Sequence, residues 1–317
     1  MALSQKNTRI GLGLFTASLL IGLFALNKYY WIFKLLVFSQ GPVNVYSETE
    51  FSEKILAKQS HSRCTKYGEA ILREAPLSLA EASGVAPSLL YPDSLYHVND
   101  SGNEPLVHLR SLEGKVHKSP LSILEARDLE AMDAGPCGRH HCIYVADTGS
   151  NNSFRTRLRL SRFREGVPNS IESLELKFSG EIANIEALAV HPQSGDIFLL
   201  DRDVNSAIYR VPASTPWRGV IEPQLFGEIF SYYENYDLES SPTGAAFAPD
   251  GKSLFIITSN FIIEKTWPDG DAKYTPLPSM LLPEAITVLP NGSLVFTSEM
   301  FFTKTHLKNF GAIPCLE

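Results

Sequence analysis

The chain has 317 residues, 44% of them hydrophobic and 20% charged, with 20 prolines and 21 glycines. Those proportions exclude a disordered or collagen-like chain. A net charge of −7 and the lack of any Lys/Arg run argue against nucleic acid as a partner, because phosphate binding needs a clustered positive surface.

The amino-terminal segment differs from everything after it. Residues 1–9 carry Lys6 and Arg9 and read as a cytoplasmic tail. Ile10–Leu26 is free of charge, and Tyr29, Tyr30 and Trp31 follow between Lys28 and Lys34. About 20 apolar residues span a bilayer, and aromatic and basic side chains favour its interface. Residues 10–38 are therefore predicted to be a transmembrane signal-anchor helix with its interfacial segment. A cleaved signal peptide is the rival, disfavoured by the bulky "FALNK" where small residues are needed for cleavage. Either reading places the rest of the chain outside the cytoplasm, in the periplasm or the extracellular space. Residues 39–62 read as a stalk that includes the best helical segment, Ser47–Gln59.

All four cysteines lie beyond the apolar run, and an even count in an exported chain points to disulfides. Cys137 and Cys142 are close enough to flank one hairpin loop, which leaves Cys64 with Cys315. That second pairing requires the two ends of the exported part to meet in space. Zinc held by Cys137, His140, His141 and Cys142 is the alternative for the loop "GPCGRHHC". Adjacent histidines in so short a loop rarely turn onto one tetrahedral ion.

From about residue 63 a repeat runs through the chain. "EASGVAPSLLYPDSLYHVNDSGN", "LEAMDAGPCGRHHCIYVADTGSN", "IEALAVHPQSGDIFLLDRDVN", "TGAAFAPDGKSLFIITSN" and "PEAITVLPNGSLVFTSE" share one plan. A small-residue apolar strand opens each unit, a Pro/Gly/Asp turn follows, and a β-branched and aromatic strand ends in a polar turn. Asp-Gly and Asn-Gly between apolar runs are strong hairpin signals. Further strands are predicted at "LVHLRS", "KVHKSPLSIL", "LRLSRF", "SLELKFS", "AIYRVP" and "QLFGEIF". Four strands per unit at this spacing predict an all-β fold, a β-propeller over residues 63–317, with one blade per unit. Openings at Ala82, Ala131, Ala187, Ala245 and Ala285 give five blades, with six as the alternative. The last unit is too short for a full blade, so its outer strand is expected from Cys64–Ala75, closing the ring.

The polar residue beside each opening is the first candidate site: Ser83 (one place later than in the other units), Glu130, Glu186, Thr243 and Glu284. Inner strands line a propeller's channel, so these residues converge. Three carboxylates brought together repel unless protonated or neutralised. A hard cation with oxygen ligands, Ca²⁺, answers that need, and zinc or copper would prefer ligands these positions lack. The order also resembles the soluble calcium-activated apyrases, five-bladed propellers whose channel Ca²⁺ is held by Ser, Glu, Glu, Ser and Glu. Thr243 stands for the second Ser. "SLYHVNDSGN" is similar to that family's "LYSVDDRTG", although Ser101 stands where the family has Arg, and "VADTGSN" lacks its "KEW". The resemblance thus implies the metal site rather than nucleotide hydrolysis. A second resemblance, over "EASGVAPS…LYHVNDSG", "RDLEAM…IYVADTGSN", "NIEALAVHPQSGDIFLLDRD" and "TGAAFAPDGKSL", is to a family of exported bacterial propeller proteins without an assigned activity. The competing account of the ring needs no ion: small polar residues there cap blades by bonding to neighbouring backbone.

A second candidate ring closes the following strands: Asp100, Asp147, Asp201 with Arg202, Ser259 with Asn260, and Glu299. Turn residues of this kind commonly bond to their own backbone. The functional account sets Asp100, Asp147, Asp201 and Arg202 around the channel mouth as a ligand site, with Arg202 clamping a phosphate or carboxylate. No Gly-x-Ser-x-Gly elbow and no phosphate loop is present. The expected function is a membrane-anchored extracytoplasmic module that binds a small ligand or partner protein at its channel mouth and rim, with a structural Ca²⁺. The alternative is a metal-dependent hydrolase of phosphoesters, nucleotides or lactones.

Overall fold

Twenty-one strands, numbered in chain order, form five sheets in a computed structural model that describes residues 64–73, 82–123, 125–149, 155–180, 182–203, 207–229, 241–277, 282–298 and 310–317. All of these belong to one unit of the chain, Val43–Glu317. The predicted tail, anchor and stalk helix lie outside the described residues. Among the described residues no helix is long and apolar enough to cross a membrane.

The first strand in the chain, β1 (Ile71–Arg73), belongs to the last blade. Blade 1 is β2 (Ala82–Pro87), β3 (Ser94–Asn99), β4 (Leu106–Ser111) and β5 (Val116–Ser122). Blade 2 is β6 (Leu129–Cys137), β7 (His140–Asp147), β8 (Leu158–Arg164) and β9 (Glu172–Leu176). Blade 3 is β10 (Ile185–Val190), β11 (Ile197–Asp201), β12 (Ala207–Val211) and β14 (Gln224–Glu228). The intervening β13 (Val220–Ile221) crosses over to blade 2 and pairs parallel with β9 as a fifth strand. Blade 4 is β15 (Gly244–Phe247), β16 (Ser253–Ile257), β17 (Phe261–Thr266) and β18 (Ala272–Pro276). Blade 5 is β19 (Pro283–Val288), β20 (Leu294–Ser298), β21 (Phe310–Ile313) and then β1.

The fold is therefore a five-bladed propeller, and the ring closes as the short last repeat requires. Ile71, Leu72 and Arg73 pair with Ala312, Gly311 and Phe310. Arg73 is buried, donates to the Leu112 carbonyl of blade 1, and lies 4.8 Å from the centre of the Phe310 ring. Disulfides join Cys64 to Cys315 and Cys137 to Cys142. The second spans the β6–β7 turn and consumes both thiolates that zinc would have needed.

Period-two alternation in twisted strands gives each sheet two faces, and each face needs a partner. The neighbouring blade supplies it, so five apolar clusters fill the five spaces between blades. Between blades 1 and 2, for example, Tyr96, Val98 and Val107 meet Met132, Ile143 and Val145. The Asp-Gly and Asn-Gly hairpins form as predicted, with Gly251 at φ +68° and Gly292 at φ +85°, conformations that side chains with a Cβ seldom adopt. The inner strands approach one another closely. A Cβ on Gly84 would lie 2.7 Å from the Met132 nitrogen, and one on Gly244 would lie 2.9 Å from the Ala285 Cα.

Candidate functional site

A bulge at the start of each Glu- or Ser-bearing inner strand builds the channel mouth. The pairings skip from Ala82 to Gly84, Leu129 to Ala131, Ile185 to Ala187 and Pro283 to Ala285. The residues left over are Ser83, Glu130, Glu186 and Glu284, and a bulge re-aims the extra side chain. Thr243 precedes the inner strand of blade 4, β15, and donates its own N–H to the Ile257 carbonyl at 2.9 Å. Blade 1 is thus offset by one residue from the sequence alignment: Ser83 matches Glu130, and Gly84 matches Ala131.

The hydroxyls at the mouth tie blades together. Ser83 Oγ donates to the Leu129 carbonyl at 2.6 Å, Thr148 Oγ1 to Ile185 at 2.7 Å, Thr243 Oγ1 to Pro283 at 2.7 Å, and Thr297 Oγ1 to Ala82 at 2.8 Å. Every acceptor immediately precedes a bulge residue of the next blade. Ser83 and Thr243 therefore hold the backbone beside Glu130 and Glu284.

Strand register divides the second candidate ring into two rows. Asp147 pairs with Leu129, Asp201 with Ile185, and Asn99, not Asp100, with Ala82. Asp147 and Asp201 act as backbone caps. Asp147 Oδ1 accepts from the N–H groups of Arg127 at 3.2 Å and Asp128 at 2.9 Å. Asp201 Oδ1 accepts from Asn184 at 3.2 Å and Asp203 at 3.0 Å. Asp100 and Arg202 sit one residue further along, in the row of Thr148, where side chains reach the channel mouth.

Charge is unevenly distributed there. Asp100, Asp128 and Glu130 each place a carboxylate oxygen within 4.8 Å of the other two. Glu130 is buried, and its Oε1 and the Asp128 Oδ1 have no hydrogen-bond partner among the described residues. Burial, then Glu186, Asp100, Asp128 and Glu284, push the Glu130 carboxyl up to about 10. Burial and then Asp100 also raise Asp128, against the pull of Arg155. Gly149 passes alongside, and a Cβ there would overlap both the Asp128 carboxylate and Glu130 Oε1. The acidic group can hold a metal ion: oxygens within 4.8 Å of one another can each lie about 2.3–2.6 Å from a central hard cation such as Ca²⁺.

Glu186 meets a different neighbour. Arg202 Nη1 lies 3.4 Å from Glu186 Oε1. Burial raises the Glu186 carboxyl while Arg202 opposes the rise. Burial alone would loosen the Arg202 proton, but Glu186, Glu284 and Glu130 hold it more firmly than usual. Arg202 is thus a cation built into the ring, facing three of its carboxylates.

Two contributors escaped the sequence reading. Asp128 stands two places before Glu130, where blade 3 has Asn184; that shared polar position was the available signal. Arg155 had none. It pairs with Asp147 at 2.8 Å and donates to the Gly149 carbonyl at 2.9 Å, so it fixes both walls around the acidic group.

Fold and site together define a five-bladed β-propeller with an acidic channel mouth. No family model matches the chain, and no curated protein matches it. Solved structures do. It is similar to the PQQ-bound form of aldose sugar dehydrogenase from Streptomyces coelicolor, at 10% identity over 80% of this chain and 100% of that one, TM-score 0.47. It is similar to a gluconolactonase from Xanthomonas campestris, at 12% identity over 74% of this chain and 72% of that one, TM-score 0.47. A protein of unknown function from Bacteroides thetaiotaomicron matches at 12% identity over 74% of this chain and 56% of that one, TM-score 0.46. Likeness at this level assigns no activity, and the blade count rests on the sheet topology itself.

Proposed function

We propose that the chain is a membrane-anchored extracytoplasmic binding module whose channel mouth holds Ca²⁺ at Asp100, Asp128 and Glu130 and presents it to a small ligand or partner protein. One observation carries the reading: buried carboxylate oxygens converge there without a donor among the described residues, beside a glycine that leaves them room. Leaving such groups unpaired is costly, and a cation removes the cost. The export part of the reading is supported by the two disulfides and by the uncharged run Ile10–Leu26.

The test is thermal unfolding of the full chain in EDTA, followed by titration with Ca²⁺. A ligand that binds only the native state raises the midpoint. The expected rise is lost in Asp128→Asn and kept in Glu186→Gln, which places the ion off the channel axis. Loss in Glu186→Gln with retention in Asp128→Asn would move it onto the five-residue ring. No Ca²⁺-dependent shift, with no metal retained in elemental analysis, would refute the cation.

A hydrolase reading is favoured by one feature, the converging oxygens of Asp100, Asp128 and Glu130, where a bound cation could polarise a phosphoryl or carbonyl oxygen of a substrate. It predicts Ca²⁺-dependent turnover of a phosphoester, nucleotide or lactone, abolished in Glu130→Gln.

A further inference from the structure

An arginine-lined groove lies beside the same rim in blade 2, and it is independent of the cation reading. Its inner part is a cleft of about 670 Å³ between the 125–127 connection and the entry to β8. Arg155, Arg157 and Arg159 line it, while Leu158 and Leu160 are buried in the core. Arg127 stands on the wall opposite.

These arginines are not equally committed. Arg155 is 7% exposed and locked to the buried Asp147. Arg157 pairs with Glu175 at 2.6 Å, but their side chains are 48% and 36% exposed. Arg159 pairs with Glu125 at 3.1 Å, a glutamate 78% exposed, and lies 4.0 Å from Glu175. Arg127 is exposed, and its guanidinium has no hydrogen bond or ion pair among the described residues. Exposed ion pairs contribute little, so an incoming anion can replace either glutamate at small cost.

The outer part, a cleft of about 470 Å³, shares Glu125, Arg159 and Glu175 with the first and continues it. Its walls are apolar: Ile123, Leu174, Ile171 at 38% exposure and Val220 at 45%. Val220 is there because β13 leaves blade 3 to pair with β9, and among the described sheets only blade 2 has such a fifth strand. The fold thus sets an apolar wall beside guanidinium groups that bind phosphate or carboxylate bidentately. Apolar walls with a few placed polar groups are the usual make-up of a small-molecule site.

We propose that this groove binds a small amphipathic anion, its phosphate or carboxylate on Arg127 and Arg157 and its apolar body against Ile171 and Val220. The probes are 1-naphthyl phosphate and 1-naphthoate, with inorganic phosphate and 1-naphthol as their separate halves. Binding to the full chain is followed by naphthyl fluorescence and titration calorimetry in EDTA, so that no channel cation contributes. At least one naphthyl anion should bind saturably, at least tenfold more tightly than either half. Arg127→Gln with Arg157→Gln should weaken it at least tenfold, and Val220→Asp should weaken it comparably from the other end. The better of the two anions identifies the head group. The proposal is overturned if neither anion saturates, if 1-naphthol alone binds as well, or if both sets of variants bind like the parent chain.

Discussion

Blades 2 and 3 place the same parts at the channel mouth and use them oppositely. Each has a bulged glutamate, Glu130 or Glu186, and an aspartate capping the connection just before it, Asp147 or Asp201. Each also has one arginine. In blade 2 it stands behind the cap, where Arg155 pairs with Asp147. In blade 3 it stands in front, where Arg202 faces Glu186. The position of one guanidinium decides whether a glutamate is neutralised from within the protein or left with acidic neighbours. Strand geometry alone does not assign chemistry to a propeller position.

The largest effect that would sharpen this contrast is expected at Glu130. Burial and its acidic neighbours push its carboxyl up on folding, from the ordinary 4.5 to about 10. Below the lower value it is neutral in both states and has no effect. Between the two, only the unfolded state releases the proton, so metal-free stability should fall as pH rises, by up to about 1.4 kcal/mol per pH unit. Glu130→Gln should flatten that slope in denaturant unfolding between about pH 5 and pH 9, and Ca²⁺ should flatten it in the parent chain. A slope unchanged in Glu130→Gln would mean the blade 2 acids are not under this strain.

Next is the cap. Asp147→Asn leaves the buried Arg155 without its anion, at a cost of about 3 kcal/mol. It should also weaken the Ca²⁺ response, because Asp128 and Gly149 lose their anchor. Asp201 has no such ion-pair partner among the described residues, and Asp201→Asn should cost less. Arg202→Gln is smaller again, about 1–2 kcal/mol at neutral pH because its side chain is partly exposed. It tests the comparison most directly, since it gives Glu186 the surroundings of Glu130. If Arg202 serves as the ring's own cation, the variant should show a new Ca²⁺-dependent rise in midpoint that survives Asp128→Asn.

The fold was legible because hairpin chemistry is local. "APDGKS" and "LPNGS" name their turns, and a last repeat too short for four strands forces closure by the segment near Cys64. The crossing strand β13 was not legible, since two residues carry no period and its partner lies in another blade. At the site, the acidic bulge positions stood out because Glu beside Ala recurs in "DLEA", "NIEA" and "PEA". The division of labour did not. Grouping the turn aspartates by residue type put Asp100 with Asp147, whereas strand register sets it level with Thr148 and Arg202. Partner choice across blades, such as Arg155 with Asp147 or Arg202 with Glu186, depends on side-chain reach, which spacing does not encode.

The smallest predicted effect separates the two sites a cation could occupy. Ser83 Oγ and Thr148 Oγ1 make matching bonds to the backbone of the next blade, at 2.6 and 2.7 Å. Only Ser83 belongs to the five-residue ring. Removing one such hydroxyl should cost about 1 kcal/mol, chiefly by leaving a buried carbonyl unpaired. If the ion sits with Asp100, Asp128 and Glu130, Ser83→Ala and Thr148→Val should lose similar stability with and without Ca²⁺. If it sits on the channel axis, Ser83→Ala alone should lose more once Ca²⁺ is added, because a ligand as well as a hydrogen bond has gone. Unfolding curves for the two variants, each with EDTA and with saturating Ca²⁺, therefore test whether these hydroxyls serve the backbone or the metal.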